Sequence, residues 1–224
     1  MKRTLILISL FSLTIIYGQV TTGAVSLPTD LGLYNQVNSK SSSRALSYDE
    51  IKGTPYPNKQ FVLAKFKDNF ETAPARYNSF KDNIEYQKNN EIFILPDTED
   101  FSRVTYVNTK ETLVNLKTGD EFSGYFYELV NGENALYKKI KTKFTDAVLA
   151  KTTYDSDRPA FFKTFEPFYY IKTAKGFIKK PKNQKEILEQ FPDKKETLSA
   201  FFKENKIKFD KEEDLKKLVT FLNQ

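Results

Sequence analysis

The chain has 224 residues with no Cys, His or Trp, and a formal net charge of +6. Those absences exclude disulfides, thiolate and imidazole metal sites, and every nucleophilic triad that needs His as its base. Of the 35 basic residues only five are Arg. The rest are Lys, a hydrated point charge without Arg's planar fork, so the excess reads as solubility and weak affinity for acidic surfaces rather than nucleic-acid recognition.

Residues 1–18 read as an export signal. Lys2 and Arg3 form a basic start, and residues 5–17 (LILISLFSLTIIY) form an apolar run shorter than the roughly 20 residues of a membrane span. Cleavage after Gly18 exposes Gln19, with Gly23 and Ala24 as alternative sites. An uncleaved anchor is the other reading, disfavoured by the Gly/Thr-rich flank. No Cys follows to carry a lipid, so the expected product is not a lipoprotein, has no transmembrane span, and resides in the periplasm or outside the cell. Residues 19–48, rich in Ser, Thr, Gly and Asn, are expected to form an irregular arm with one short strand near 31–34.

A single globular domain is expected over 49–224, β-rich over 49–180 and helical over 181–224. Two prolines in Gly53-Thr54-Pro55-Tyr56-Pro57-Asn58 mark a turn. Strand-like runs follow at 60–66, 75–86, 91–95, 103–108 and 112–116. The stretch 121–144 then reads as the central hairpin, turning at Asn131-Gly132 in a two-residue type I′ loop. Pairing Val130 with Glu133 puts Tyr125, Tyr127 and Leu129 on one face with Leu136 and Ile140, and Phe122, Phe126 and Tyr137 on the other. Further strands are expected at 148–154, 161–165, 168–172 and 176–179. Short strands at regular spacing without intervening helices predict an antiparallel meander, a curved sheet or a partly closed barrel.

From Pro181 the hydrophobic period changes. Asn183, Asp193 and Asp210 each stand three residues before a Glu, the pattern of a capped helix start. Leu198, Phe201 and Phe202, then Leu215, Leu218, Val219 and Leu222, form apolar stripes at helical spacing. The fold class expected is α+β, mainly β, with two or three short C-terminal helices.

GTPYPNKQF near residue 53, RYNSFKDNIEY at 76–86, GYFYELVNGENALYKK at 124–139 and the end FPDKKETLSAFFKENKIKF with DLKKLVTFLN occur together. Over roughly residues 50–224 this pattern resembles an uncharacterised family of exported Bacteroidetes-type proteins. The resemblance implies one sheet-plus-helices domain in the cell envelope or outside the cell, and transfers no catalytic or ligand-binding residue.

Among polar groups, no Ser has a Lys three residues on, which removes Ser–Lys catalysis of that spacing. The acidic loops at 97–100 and 155–157 read as solvated turns rather than a calcium site, Arg158 directly following the second. Arg76, Tyr77 and Asn78, with Tyr125 and Tyr127, form the candidate ligand-binding set, since an Arg in a sheet flanked by Tyr can hold a carboxylate bidentately; the competing role is a structural pair with Glu85. Lys138, Lys139, Lys141 and Lys143 form a candidate polyanion-binding row, with a solvent-facing, edge-guarding role as the alternative. No catalytic residue, metal or cofactor is assigned. The function expected is non-catalytic: binding of an envelope protein or glycan, not nucleic acid, through exposed aromatic and Lys-rich surface. The alternative is a hydrolase or small-ligand-binding enzyme using Asp, Glu, Lys and Tyr alone.

Overall fold

The computed structural model describes residues 35–66 and 72–224. The expected export signal, its cleavage site and the short strand near 31–34 lie outside the described residues. Among the described residues, fourteen strands are found: β1 (Gln36–Ser39), β2 (Arg44–Ser47), β3 (Val62–Lys65), β4 (Ala73–Asn78), β5 (Asn83–Lys88), β6 (Glu91–Ile94), β7 (Arg103–Tyr106), β8 (Thr112–Leu116), β9 (Gly124–Val130), β10 (Ala135–Lys139), β11 (Thr142–Thr145), β12 (Phe161–Thr164), β13 (Phe168–Thr173) and β14 (Gly176–Lys179). Three helices close the chain: α1 (Gln184–Gln190), α2 (Lys195–Glu204) and α3 (Glu212–Leu222).

Ten strands form one antiparallel sheet in the order β14-β13-β10-β9-β8-β7-β3-β4-β5-β6, and β1–β2 and β11–β12 are separate two-stranded pairs. The protein is mainly β with a helical C-terminal end, as expected, but the barrel alternative does not hold. The outer strands β14 and β6 do not pair with one another. The sheet nevertheless curls. β4 and β9 stand four strand spacings apart, about 19 Å in a flat sheet, yet Tyr77 of β4 and Tyr127 of β9 have ring centroids 6.0 Å apart. Side chains, not a hydrogen-bonded ladder, bridge the curl. The β14 edge carries Lys179 and is followed by Lys180 and Pro181, residues that discourage strand pairing.

The inner face holds a tyrosine-rich core of Tyr77, Tyr86, Tyr106, Tyr125 and Tyr127 with Ile84, Val104 and Leu113. Phe126, Tyr137 and Tyr170 pack together elsewhere, with Phe122 against them. The two-face partition of the β9–β10 hairpin is therefore as expected, although its turn is not. Leu136 pairs with Val130 and Lys138 with Tyr127, with a register shift between Leu136 and Tyr137. Over most of the hairpin the strands slide by two residues from a two-residue turn, and an even slip leaves every side chain on its face. Asn131 does not have positive φ, so the type I′ turn is absent. The reason is tertiary: Asn134 N–H donates to Asn223 Oδ1 at 2.8 Å, and Asn223 Nδ2 donates back to Asn134 O at 2.9 Å. The connection is opened by the end of α3.

Other boundaries also moved. The run 75–86 splits into β4 and β5, because Asn78 Oδ1 accepts from the Phe80 and Lys81 amides and turns the chain. Residues 36–47, expected as irregular arm, form the β1–β2 hairpin, whose Leu46 packs with Tyr48, Tyr56 and Phe162. Residues 148–154 are not a strand but an exposed excursion.

Asn183 caps α1 as read, its side chain accepting from Glu186 N. Asp193 falls in a short 3-10 turn (Pro192–Lys194) before α2 and caps nothing, and Lys211 rather than Asp210 stands at the start of α3. There Glu212, Glu213 and Asp214 meet the positive end of the helix dipole. Leu215, Leu218, Val219 and Leu222 are all buried, against Leu136, Ile171 and Ile178 of the sheet among others. Each such side chain contributes about 1.5–3 kcal/mol of burial, which is what anchors helices too short to persist alone.

Candidate functional site

The curl is pinned at one end by a buried polar cluster. Asp82, at φ +55°, ends the β4–β5 turn in the left-handed region that Asp tolerates. Its carboxylate accepts from Tyr77 Oη at 2.6 Å and from Lys139 Nζ at 2.7 Å. Lys139 also donates to the Tyr125 carbonyl at 2.9 Å and lies over the Phe126 ring at 4.8 Å. Lys139 is fully buried. Burial pulls its ammonium below the ordinary Lys range, and Asp82 opposes that shift. Burial, reinforced by Asp82, pushes the Tyr77 phenol well up.

Gly124, at φ +131°, makes this approach feasible, since any side chain there would overlap the Asp82 carboxylate. Beside the cluster lies a cleft of about 480 Å³ lined by Asp82, Gly124, Ile94, Leu95, Pro96 and Asn115, among others. Asp82 faces it, whereas Lys139 sits behind. The arrangement holds an ion pair, Lys139–Asp82, with the Tyr77 phenol hydrogen-bonded to the same carboxylate.

A second cluster lies on the opposite face of β4 and β5. Arg76 donates to Glu85 at 2.7 Å, to Tyr56 Oη at 2.8 Å and to the Lys59 carbonyl at 3.2 Å. Its guanidinium carbon stands 3.9 Å from the Tyr56 ring centroid and 4.3 Å from that of Phe61. The fully buried Glu85 also accepts from Asn78 Nδ2 at 2.9 Å. Arg76 and Asn78 thus share Glu85, while Tyr77 points to the inner face. Arg76, Tyr77 and Tyr127 do line one small cavity of about 40 Å³, with Tyr106 and Glu111, room for about one water. Tyr125 is buried elsewhere in the same core, its phenol pushed up to about 12 by desolvation.

The four residues of the lysine row do not lie on one exposed surface. Lys138 pairs with Glu212 of α3 at 3.0 Å, Lys139 is the buried partner of Asp82, Lys141 is half-buried and only Lys143 is exposed. Strand alternation sends neighbours to opposite sides.

The longest unbroken exposed run among the described residues is the excursion between β11 and β12. Residues 148–159 are exposed throughout, yet they are ordered by their own hydrogen bonds. Val148 and Arg158 exchange backbone bonds at 2.9 Å, Asp157 accepts from Ala150 N, and Asp155 accepts from Thr152 Oγ1. At its base Asp146 accepts from Ser39 Oγ, Ser41 Oγ and the Lys40 amide at 2.7–2.9 Å. The Ser39 bond leads the effects that hold the Asp146 carboxyl below the usual range. This frame presents Leu149, 60% exposed, and Tyr154, 97% exposed. Sequence reading missed it because Val148-Leu149 and Thr152-Thr153-Tyr154 carry β-type residues. The signal that could have found it was Asp155-Ser156-Asp157 with Pro159, a turn-rich tail unsuited to a central strand.

Among the described residues no group of three or more Asp or Glu side chains is placed to hold a metal ion, and no helix is long and apolar enough to cross a membrane. No protein-family model, curated protein or solved structure matches this chain.

Proposed function

We propose that this chain is an exported, non-catalytic protein of the cell envelope or exterior that binds a partner protein through the 146–159 excursion. The observation that carries the reading is Tyr154 and Leu149 held in solvent on a hydrogen-bonded frame. Large side chains left in solvent on an ordered projection forgo the burial free energy that contact with a partner would supply. Tyr in particular offers a large contact area with few rotatable bonds. The address rests on the basic-apolar start of the sequence and on the resemblance to exported Bacteroidetes-type proteins. The test is cross-linking in the native envelope followed by affinity capture. One protein recovered near stoichiometry with the wild type, and lost with Leu149→Asp/Tyr154→Ala, supports the proposal. Equal recovery with the variant sinks it.

A second reading, a small-ligand site or hydrolase using Asp, Lys and Tyr, is favoured by the Lys139–Asp82–Tyr77 cluster beside the 480 Å³ cleft. That volume lies in the range of small-molecule sites. Thermal shift with small ligands and glycans, repeated on Asp82→Asn, separates the two: stabilisation that the variant abolishes belongs to the cleft.

A further inference from the structure

Asn131-Gly132 is the dipeptide that the hairpin-turn rule explains and this fold does not. Asn131 lacks the positive φ of a type I′ turn, is exposed, and its side chain has no hydrogen-bond partner among the described residues. Gly132 does have a structural reason: a Cβ there would stand 2.6 Å from Asn223 Nδ2, so a side chain would displace the amide that is bonded to Asn134. The pairing therefore leaves a free side-chain amide next to a backbone amide that no Cβ shields. Residues 131–134 lie outside the ladder, between the end of β9 and the start of β10, so no strand hydrogen bond holds the Gly132 amide away from its neighbour.

We propose that Asn131 is a self-modification site, converting through a cyclic imide to aspartate and isoaspartate. The Gly132 nitrogen attacks Asn131 Cγ, forming the new C–N bond. The Cγ–Nδ2 bond breaks, and the nitrogen leaves as ammonia with the proton that Gly132 gives up. Water then opens the ring. Attack at Cγ yields an ordinary aspartate at that position, and attack at the former backbone carbonyl yields isoaspartate, with one extra methylene in the main chain. Nothing is oxidised or reduced, and water is the only co-reactant.

Asparagines held inside the fold are protected. Asn134 is bonded to Leu222 O and Asn223, and Asn223 to Asn134. Asn78, followed by Ser79, is fully buried and bonded to Glu85. The product forms where it has a consequence. Either product adds a negative charge, and isoaspartate lengthens the connection that positions Asn134 on Asn223. The altered loop loosens the end of α3.

The test incubates the full chain at physiological temperature and neutral pH for a month. Peptide mass spectrometry reads the small gain from exchanging –NH2 for –OH, and isoaspartyl methyltransferase labelling detects the isomer. The expected result is conversion at Asn131 several-fold faster than at any other asparagine, rising with pH and absent in Asn131→Gln. Amide exchange at residues 220–224 should accelerate in the converted fraction only. No conversion at Asn131, or equal conversion at the exposed pair Asn89-Asn90, overturns the site. Unchanged exchange in fully converted chain overturns the link to α3.

Discussion

Lys139 Nζ stands 2.7 Å from Asp82 Oδ2, joining β10 to a turn that lies five strands away in the sheet order. The pair is asymmetric: the Lys139 side chain is fully buried and that of Asp82 is 19% exposed. Losing one partner of a buried pair costs about 3–5 kcal/mol, because the survivor is left uncompensated. Asp82→Asn, which strands a buried ammonium, should therefore approach that range, while Lys139→Met, which leaves a carboxylate in reach of water, should cost less. Urea denaturation of both variants checks the order; the reverse order would mean that the Asp82 carboxylate depends on Lys139 more than the buried ammonium depends on Asp82.

Gly124 permits the same contact. Gly124→Ala puts a methyl group against the Asp82 carboxylate and a side chain at φ +131°. Strain of that kind costs about 1–3 kcal/mol before the lost hydrogen bonds are counted. The variant should lose at least about 2 kcal/mol in stability. A thermal melt matching wild type would show that the turn can retreat without penalty.

Asp146 makes the β1–β2 clasp sensitive to acid. Its carboxyl is held below the ordinary value of 3.8, so the ionised form is the one that folding favours. The stability it contributes is complete above 3.8 and fades as pH falls below it through the folded-state value. Asp146→Asn should be less stable than wild type at neutral pH, and the gap should narrow in acid. Paired denaturation curves at neutral pH and below 3.8 read both. A pH-independent gap would assign the effect to shape rather than charge.

The lock between α3 and the hairpin rests on Asn223. Asn223→Ala removes three hydrogen bonds to Asn134, and a typical bond contributes about 0.5–1.5 kcal/mol net. A loss of about 2 kcal/mol is expected, with faster amide exchange confined to α3 and residues 131–134. Leu215→Ala, which hollows the centre of the helix–sheet core, should cost more, about 2–5 kcal/mol.

Much of this fold is legible along the chain. The apolar stripe from Leu215 to Leu222 names its buried face without help, and the two faces of the β9–β10 hairpin follow from alternation alone. The same three-residue pattern marked Asn183, which caps, and Asp193 and Asp210, which do not, so the local signal was right at one start of three. The candidate ligand set was less legible: Arg76 and Asn78 turn out to share Glu85, whereas Tyr77 answers to Asp82 on the other face. Three consecutive residues in a strand look like one cluster in sequence, but the pleat divides them.

Sequence by itself determined what depends on near neighbours: the character of most strands and of the C-terminal helices, the apolar faces of the β9–β10 hairpin and of α3, and the absence of His, Cys and Trp chemistry. Only the tertiary structure decided that the sheet curls without closing, that Asn131-Gly132 is opened by Asn223, that Lys139 is buried on Asp82, and that Leu149 and Tyr154 stand in solvent. Each of these joins residues far apart in the chain or depends on what fails to cover them. Periodicity reports which side of an element is apolar; it carries no information on which distant element arrives there, or whether any does.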